Sequence, residues 1–555
     1  MSEIHRVSRL GAFLALISFL VMACTGGGAD RAPATGGAPT SGGPQEPKMR
    51  RLVISVAEPG TESNSPRILT QTVTWQLRPM YEHLIGIDPA TGRFVPQLAT
   101  EWSLEPDGKS YRFKLRKGVQ FHGGRGEMTA KDVVHTWEDA KKDDATDIKS
   151  VVQRNFVESV EAVNDYEVVF RMTAPRVDFL PIASEVQGGI QVMSKAHFDA
   201  AGEPTLQSAP IAGTGPYQFR ERAQGSYIRF DRVSFPHWRV TPDFPEFEYR
   251  FQNESSSRLA GLLAGETQIT NLPSDLLPQA TAQGFKLIKG RVRALRTFGS
   301  FQCCFINSQT AEYPVFANSP LMDPRVRRAL NKAINRDELN RAFFANKGET
   351  LYLSHHDPIR EGWDPTWQSR FPEEYGYDQA RARALLAEGG QPNLRTTFIV
   401  RPLPMYSGAE DVAEAIAGYW RAVGVDVQLQ TIDAAEISAG QRNLRYDNHV
   451  LLTGTSAEQF VGFNVYNSST AGLYLGAQHP DIQSIVRQIS VELTEDRRAD
   501  LYKQGGNRMY DLHLDIPLFW LPAEAVADPK VIADWEFPGS ISGTWTHPEG
   551  VKAVK

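Results

Sequence analysis

Cysteine is almost absent from this chain. Only three cysteines occur in 555 residues, Cys24 and the adjacent Cys303 and Cys304. A disulfide framework therefore cannot hold the fold together, and a buried core must do so. The hydrophobic share of 41% and the aromatic share of 10% supply such a core, and the length favours two or three domains. A formal net charge of -6 argues against nucleic acid or an anionic lipid surface as the main partner.

The chain also lacks an apolar run long enough to cross a bilayer. The longest run, residues 11–23, has thirteen residues, whereas a membrane-spanning helix takes about twenty. Because basic residues precede this run, residues 1–23 are predicted to be a signal peptide. Residues 24–48 are rich in Gly, Ala and Pro and are predicted to form a flexible linker. The protein is therefore expected to be exported.

The junction at Val21–Cys24, "VMAC", resembles the lipobox of bacterial lipoproteins. The resemblance implies that Cys24 is lipid-modified and becomes the new N-terminus, so that acyl chains hold the protein at a membrane surface. The alternative is a chance cysteine beside an ordinary cleavage site. We expect the mature protein on the outer face of the cell membrane or in the periplasm.

Signals of catalysis or metal binding are weak. The glycines of "FHGGRG" (121–126) have no accompanying G-x-S-x-G nucleophile motif, and "GTGPY" (213–217) lacks the Lys-Ser/Thr ending of a phosphate loop. The consecutive His355, His356 and Asp357 cannot readily converge on one metal ion, because neighbouring strand residues point to opposite faces. The sequence predicts no enzymatic activity, no metal and no other cofactor.

Helix and strand patterns alternate through the chain. "KSYRFKLRKGVQF" has the period of two of a half-buried strand, and residues 157–172 form a predicted hairpin with its turn at Asn164. Thr129 and Asp323 are predicted helix N-caps. In residues 411–433 an apolar helical stripe stops at Gly424 and alternating strand residues follow. A helix that feeds a strand after so short a turn is typical of α/β proteins.

Several longer blocks resemble one family. They include "MYEHLIGIDPATGRFVPQLATEW" (80–102), "PIAGTGPYQF" (210–219), "DPRVRRALNKAINRDELNRAFFANKGE" (323–349) and "YWRAVGVDVQLQTID" (419–433). Their sequence and order are similar to the extracytoplasmic solute-binding proteins of family 5, the peptide- and nickel-binding class of ABC importers. The blocks span nearly the whole mature chain.

The resemblance implies an α/β, two-lobed periplasmic-binding-protein fold with an extra inserted subdomain, mixed sheets with flanking helices, and a hinge between the lobes. Its implied boundaries are lobe I at 49–75, 212–297 and 500–555, the inserted subdomain at 76–211, and lobe II at 298–499. The implied function is that of a monomeric receptor that delivers a small solute to an ABC permease and its ATPase.

The resemblance also implies where the solute binds. The candidate residues are Glu62, Trp75, Phe305, Asn307, Tyr406, Thr453, Thr455, Glu458 and Phe460. Trp75, Tyr406 and Phe460 are expected as apolar walls, and Glu458, the only acid of residues 449–472, as a possible partner for a peptide amino group. A short peptide is the first expectation and an oligosaccharide the second. An exported hydrolase, or a surface receptor that has lost import, are the alternatives of other classes.

The pair Cys303 and Cys304 stays open at this point. A strand through this position would send the two thiols to opposite faces. The pair is expected to be either two buried thiols or a vicinal disulfide.

Overall fold

The computed structural model describes residues 49–69, 73–88, 91, 93–145, 148–187, 189, 191–291, 295–400, 408–455, 458–470, 474–537 and 545–555. The predicted signal peptide, Cys24 and Tyr406 lie outside these ranges. Within them, no helix combines the length and the apolar character needed to span a membrane.

The strands, in chain order, are β1 (Arg51–Val56), β2 (Ile85–Ile87), β3 (Phe94–Pro96), β4 (Ala99–Leu104), β5 (Tyr111–Leu115), β6 (Val157–Asn164), β7 (Glu167–Met172), β8 (Tyr217–Ala223), β9 (Tyr227–Arg232), β10 (Glu246–Phe251), β11 (Ile269–Thr270), β12 (Lys286–Lys289), β13 (Leu295–Gln302), β14 (Glu349–Thr350), β15 (Arg395–Val400), β16 (Asp426–Thr431), β17 (His449–Thr455), β18 (Asp515–Leu521), β19 (Glu524–Ala527), β20 (Ile532–Asp534) and β21 (Lys552–Ala553).

The helices are α1 (Ala130–Ala140), α2 (Ile148–Phe156), α3 (Phe179–Ala183), α4 (Lys195–Ala201), α5 (Ser255–Leu263), α6 (Leu277–Ala282), α7 (Pro324–Lys332), α8 (Arg336–Phe344), α9 (Thr366–Tyr375), α10 (Gln379–Glu388), α11 (Ala409–Ala422), α12 (Ala434–Arg442), α13 (Gln459–Asn467), α14 (Pro480–Val491) and α15 (Glu495–Asp511).

Three sheets organise the chain. We call lobe I the part built on the seven-stranded sheet, ordered β12-β19-β11-β1-β10-β9-β8, and lobe II the part built on the six-stranded sheet, ordered β14-β18-β13-β17-β15-β16. The inserted subdomain is built on the antiparallel sheet β4-β5-β7-β6. Each sheet packs against its own hydrophobic cluster. Parallel and antiparallel pairs mix within both lobes, which confirms the predicted α/β class.

The local sequence signals form the elements that they predict. Asp323 caps α7 by accepting a hydrogen bond of 2.8 Å from the Arg325 amide. Thr129 and Asp132 form a capping box at α1. The buried stripe of α11 ends before Gly424, whose φ of +95° suits glycine, and β16 then pairs parallel with β15. These predictions are confirmed.

The chain passes between the sheets of lobes I and II twice, from β12 to β13 and from β18 to β19. In lobe I β12 pairs with β19, and in lobe II β13 pairs with β18, both antiparallel. The Gly290 amide also donates to the Ala523 carbonyl at 2.8 Å. The described ends of the two crossovers therefore lie next to each other, at Gly290 and Ala523 and at Leu295 and Leu521.

The expected return to lobe I at residue 500 is wrong. Within α15, Tyr502, Met509 and Tyr510 are buried in the core of lobe II, and β18 pairs with β13 of the six-stranded sheet. The chain returns to lobe I only after Leu521. The chain stays in lobe II this far because the buried apolar side chains of α15 and β18 complete the core of that lobe.

Candidate functional site

A buried arginine marks the end of the central strand of lobe II. Arg296 lies on β13 opposite Thr455 on β17, and two residues further on Phe298 lies opposite Thr453. Because side chains alternate along a strand, these four share one face of the sheet. Trp520 on β18 lies opposite Arg296, whose guanidinium is 5.4 Å from the indole centroid. We call Arg296, Thr453, Thr455 and Glu458 the polar wall of lobe II.

Glu458 belongs to this wall through its charge. Its Oε2 atom caps α13 by accepting hydrogen bonds from the amides of Phe460, at 2.8 Å, and Val461, at 3.3 Å. Burial raises the pKa of the Glu458 carboxyl, and the nearby Arg360 partly opposes this shift. Burial also lowers the pKa of Arg296 to about 9, against the attraction of the carboxylates of Asp357 and Glu458. At neutral pH Arg296 therefore remains a cation.

An apolar layer lies next to the polar wall. The His355 ring lies 5.2 Å from Tyr466 and 5.7 Å from Phe298, measured between ring centroids. His355 is fully buried, and neither of its ring nitrogens has a hydrogen-bond partner among the described residues. Burial holds its pKa well below the usual range, so the imidazole is neutral.

The neighbouring His356 has different surroundings. Its Nε2 atom lies 3.1 Å from the Tyr502 carbonyl oxygen, and its ring packs edge-on against Trp367 and Phe463. The two histidines therefore have separate packing partners. Among the described residues no cluster of three or more His, Cys, Asp or Glu side chains is arranged to hold a metal ion.

Glu62, a predicted polar contact, is bonded within lobe I. One carboxylate oxygen pairs with the Arg222 guanidinium at 2.7 Å, and the other accepts a hydrogen bond of 2.6 Å from the Gly225 amide. The Arg222 guanidinium also binds the side chains of Asn64 and Gln76. Glu62 therefore fixes the loop after β1 to strand β8 and its turn.

Three aromatic residues of the candidate set, Trp75, Phe305 and Phe460, lie in hydrophobic cores. Trp75 is 5% exposed and packs edge-on against Tyr249 in lobe I, with ring centroids 4.8 Å apart. Phe305 is 1% exposed and packs edge-on against Tyr474 at 5.4 Å. Phe460 is buried in the main core of lobe II. All three side chains are therefore buried among other residues of the chain.

Asn307 is used locally. Its side-chain oxygen accepts hydrogen bonds from the amides of Gln309 and Thr310, at 2.9 and 3.0 Å, and so closes a turn. Of the predicted set, Thr453, Thr455 and Glu458 are brought together, whereas Glu62 and Trp75 lie in lobe I.

The cysteine pair departs from the strand expectation. Strand β13 ends at Gln302, and Cys304 adopts a left-handed backbone with φ of 59°. Cys303 and Cys304 are joined in a disulfide and are 0% and 2% exposed. The two sulfur atoms therefore do not point to opposite faces, and the bridge is sealed in the core of lobe II.

Sequence reasoning missed Arg296 and Arg222. Each is a single arginine at a position that the fold buries, and each has a carboxylate in its surroundings. The only signal for Arg296 is a basic residue within the otherwise uncharged segment "LRTFGSFQ". That signal is weak because an arginine on a strand is usually solvated.

Two lobes joined by a paired crossover, with a polar wall on one of them, define a two-lobed solute-binding protein. The family model of the bacterial extracellular solute-binding proteins, family 5 (middle region) matches residues 93–472. The chain belongs to this family, which confirms the resemblance seen in the sequence.

Curated relatives are binding proteins rather than enzymes. The dipeptide-binding protein of Escherichia coli is 25% identical over 490 residues, which cover 83% of this chain and 88% of the relative. A probable di/tripeptide-binding protein of Pseudomonas aeruginosa is 26% identical and covers 81% and 86%. Heme-binding protein A of Haemophilus influenzae is 25% identical and covers 82% and 84%.

Solved structures share the fold. The oligopeptide-binding protein AppA of Bacillus subtilis, in complex with a nonapeptide, has a TM-score of 0.71 at 18% identity and covers 91% of this chain and 99% of its own. The dipeptide-binding protein of a Pseudoalteromonas species, in complex with Met-Leu, has a TM-score of 0.72 at 22% identity and covers 87% and 96%. The two-lobed periplasmic-binding-protein fold is therefore established.

Proposed function

We propose that this chain is the solute receptor of an ABC importer and that it captures a short peptide between its two lobes. Membership of the family 5 solute-binding proteins carries the proposal, and the dipeptide- and di/tripeptide-binding relatives favour a peptide. A solute that touches both lobes stabilises the closed form by as much as its closed-state contacts exceed its open-state contacts. The permease can then distinguish the loaded receptor from the empty one.

We propose the polar wall of lobe II as the part of the site that the described residues supply. Glu458 caps α13 through its Oε2 atom, which leaves its Oε1 atom outside these two helix-capping hydrogen bonds. A peptide ammonium that reaches Oε1 would offset the burial that raises the pKa of this carboxyl. Thr455, the last residue of β17, supplies a hydroxyl.

We also propose that the receptor is anchored to the membrane through Cys24 and works with a membrane permease. A lipid on Cys24 would keep the receptor near its permease. The linker of residues 25–48 would be long enough for the folded part to reach the permease. Replacing Cys24 with Ala should release the protein from the membrane fraction without changing its affinity for solute. Retention of the Cys24→Ala protein in that fraction would contradict the tether.

Native mass spectrometry of gently purified protein beginning at Thr25 tests the function. We expect a bound mass that matches a peptide, and thermal stabilisation on adding back peptides of two to nine residues, because a ligand bound only by the folded form raises its stability. Oligosaccharides, heme and nickel chelates form the comparison panel. Stabilisation by one of these and not by peptides would replace the proposed cargo, and turnover of the bound solute would favour a hydrolase.

Glu458→Gln tests the proposed residue, because it keeps an acceptor for the α13 amides and removes the charge. We expect isothermal titration to show that the variant binds a peptide with a free amino terminus about 10- to 100-fold more weakly than the parent. This is the effect of losing one buried charge-assisted hydrogen bond. An N-acetylated peptide should bind both proteins equally weakly. Glu410→Gln, an exposed acid in the first turn of α11, is the matched control. Equal affinity of Glu458→Gln and the control would remove Glu458 from the site.

A further inference from the structure

A short segment of the inserted subdomain reaches lobe II. Residues 173–178, here called the clasp, connect β7 to α3. Both ends are fixed in the core of the inserted subdomain, where the rings of Phe170 and Phe179 lie 5.3 Å apart between centroids. The clasp is therefore a part of the inserted subdomain and moves with it.

The clasp binds the end of a helix in lobe II. The Val177 amide donates a hydrogen bond of 3.1 Å to the carbonyl oxygen of Ser490, in the last turn of α14. The last four carbonyls of a helix have no partner within it, so this contact satisfies a group that would otherwise need water. The Val177 side chain also packs against the hydrophobic core of lobe II.

The residues on either side hold Val177 in position. The Arg176 guanidinium forms a two-pronged ion pair with Asp178, at 2.9 Å and 2.5 Å. The same guanidinium lies 3.8 Å from the centroid of the Phe156 ring, at the end of α2. Arg176 and Asp178 are 8% and 3% exposed. A side chain presented by so constrained a segment loses little conformational freedom when it docks.

The docked clasp lies near the polar wall. Asp178 is close enough to Glu458 for its negative charge to add to the burial that raises the pKa of the Glu458 carboxyl. On the subdomain side, Tyr111 stacks on Phe179 at 5.0 Å, and the charge of Arg498 on α15 of lobe II acts on its phenol. The surfaces of the inserted subdomain and of lobe II therefore meet beside the proposed solute site.

We infer that the clasp is a closing element, which stabilises the closed arrangement of the lobes through Val177 and the end of α14. None of its residues belongs to the two crossovers, so it acts on the closing equilibrium independently of them. The inference rests on the proposed function, since it takes the lobes to open and close around a solute. A contact made only in the closed form shifts that equilibrium by its whole free energy, and the apparent affinity for solute follows the closed population.

Val177→Asp tests the inference. It removes the apolar contact and places a carboxylate at the C-terminal end of α14, where the helix dipole repels negative charge. We expect the apparent affinity for peptide to fall about tenfold, the size of effect that one hydrogen bond or apolar contact supplies. Val177→Ala, which keeps the backbone contact, should give a smaller decrease.

Spin labels give a second measurement that needs no solute. Val163 on β6 and Tyr377 of lobe II are 51% and 49% exposed, so Val163→Cys and Tyr377→Cys can carry the labels. In protein lacking Cys24 the only other cysteines, Cys303 and Cys304, are buried. The two labels therefore report the distance between the inserted subdomain and lobe II. In solute-free protein, Val177→Asp should populate distances longer than those of the parent. Leu263→Asp, at an exposed site on α5 of lobe I, is the matched control.

The outcomes separate the two proposals. If Val177→Asp is folded by circular dichroism and matches Leu263→Asp in both label distance and affinity, the clasp does not influence closing. If no solute in the panel binds, the peptide proposal fails, but the label distances still decide whether the clasp holds the lobes together.

Discussion

At the scale of single residues, the buried carboxyl of Asp515 makes the stability of lobe II depend on pH. It is 3% exposed, and Oδ2 accepts a hydrogen bond of 3.3 Å from the Ser354 amide, whereas Oδ1 has no partner among the described residues. Burial raises the pKa of Asp515 to about 6. Between the unfolded pKa of about 4 and this value the folded form binds more protons, so its stability falls as pH rises through that window.

Asp515→Asn should therefore stabilise the protein at neutral pH. The full penalty of two pKa units is about 3 kcal/mol, and an unpaired amide returns part of it, so we expect a gain of about 1–2 kcal/mol at pH 7.5. Thermal unfolding between pH 4 and 7.5 should show a flatter profile for the variant. Asp500→Asn, at an exposed position of α15, should leave the profile unchanged. A variant less stable than the parent at pH 7.5 would contradict the role of burial.

At the scale of elements, α13 and α11 each contain a glycine in the helix interior, and the two glycines have different surroundings. A Cβ at Gly462 would lie 2.6 Å from Nδ1 of the buried His355, whereas a Cβ at Gly418 would meet nothing within 4 Å. Gly462 therefore lets α13 approach the apolar layer beside the polar wall. Gly418 has no such role, and its only effect is the entropy of an exposed helical glycine.

The two glycines give a matched pair of variants. Gly418→Ala should raise stability by about 1 kcal/mol, because alanine loses less entropy on forming a helix. Gly462→Ala should lower stability by about 1–3 kcal/mol, because His355 is buried and has little space to move away. Urea unfolding measures both, and binding of solute should weaken only in Gly462→Ala. Equal effects at the two positions would show that the approach of α13 is not constrained.

The elements that the sequence predicted correctly depend on near neighbours. The cap at Asp323, the hairpin of residues 157–172 and the helix that ends before Gly424 are each determined within a few residues. The positions of Glu62 and β18 depend instead on residues that are distant in the sequence. Arg222 is 160 residues from Glu62, and β18 pairs with a strand more than 200 residues earlier. A pattern within one segment carries no information about such partners, so the sequence predicts the fold better than the surroundings of the candidate site residues.

At the scale of the whole folded part, the C-terminal residues connect lobe I with the inserted subdomain. His547 pairs through Nε2 with Glu185 at 3.0 Å, and Glu549 pairs with Arg239 at 2.9 Å. These groups line a cavity of about 20 Å³, room for one water molecule. Burial alone would lower the pKa of His547, but the carboxylates of Glu185 and Glu549 outweigh it and raise the pKa.

His547→Gln should remove a pH-dependent part of the stability. A raised histidine pKa gives stabilisation that is complete below the unfolded value of about 6.5 and is lost as pH rises through the folded value. The melting temperature of the variant should be several degrees lower than that of the parent at pH 6, and the difference should shrink by pH 9. Lys552→Gln, an exposed cation of the same segment, serves as the control. A difference in melting temperature that grows with pH would contradict a raised pKa of His547.

The position of β19 has a consequence for synthesis of the chain. This strand, at Glu524–Ala527, lies between β11 and β12, both of which are encoded more than 230 residues earlier. A nascent chain therefore holds an interrupted sheet, with β12 lacking its neighbour, until residues 524–527 have been made. The sheet of lobe I is therefore the last of the three sheets to gain all its strands as the chain is made, after those of the inserted subdomain and lobe II.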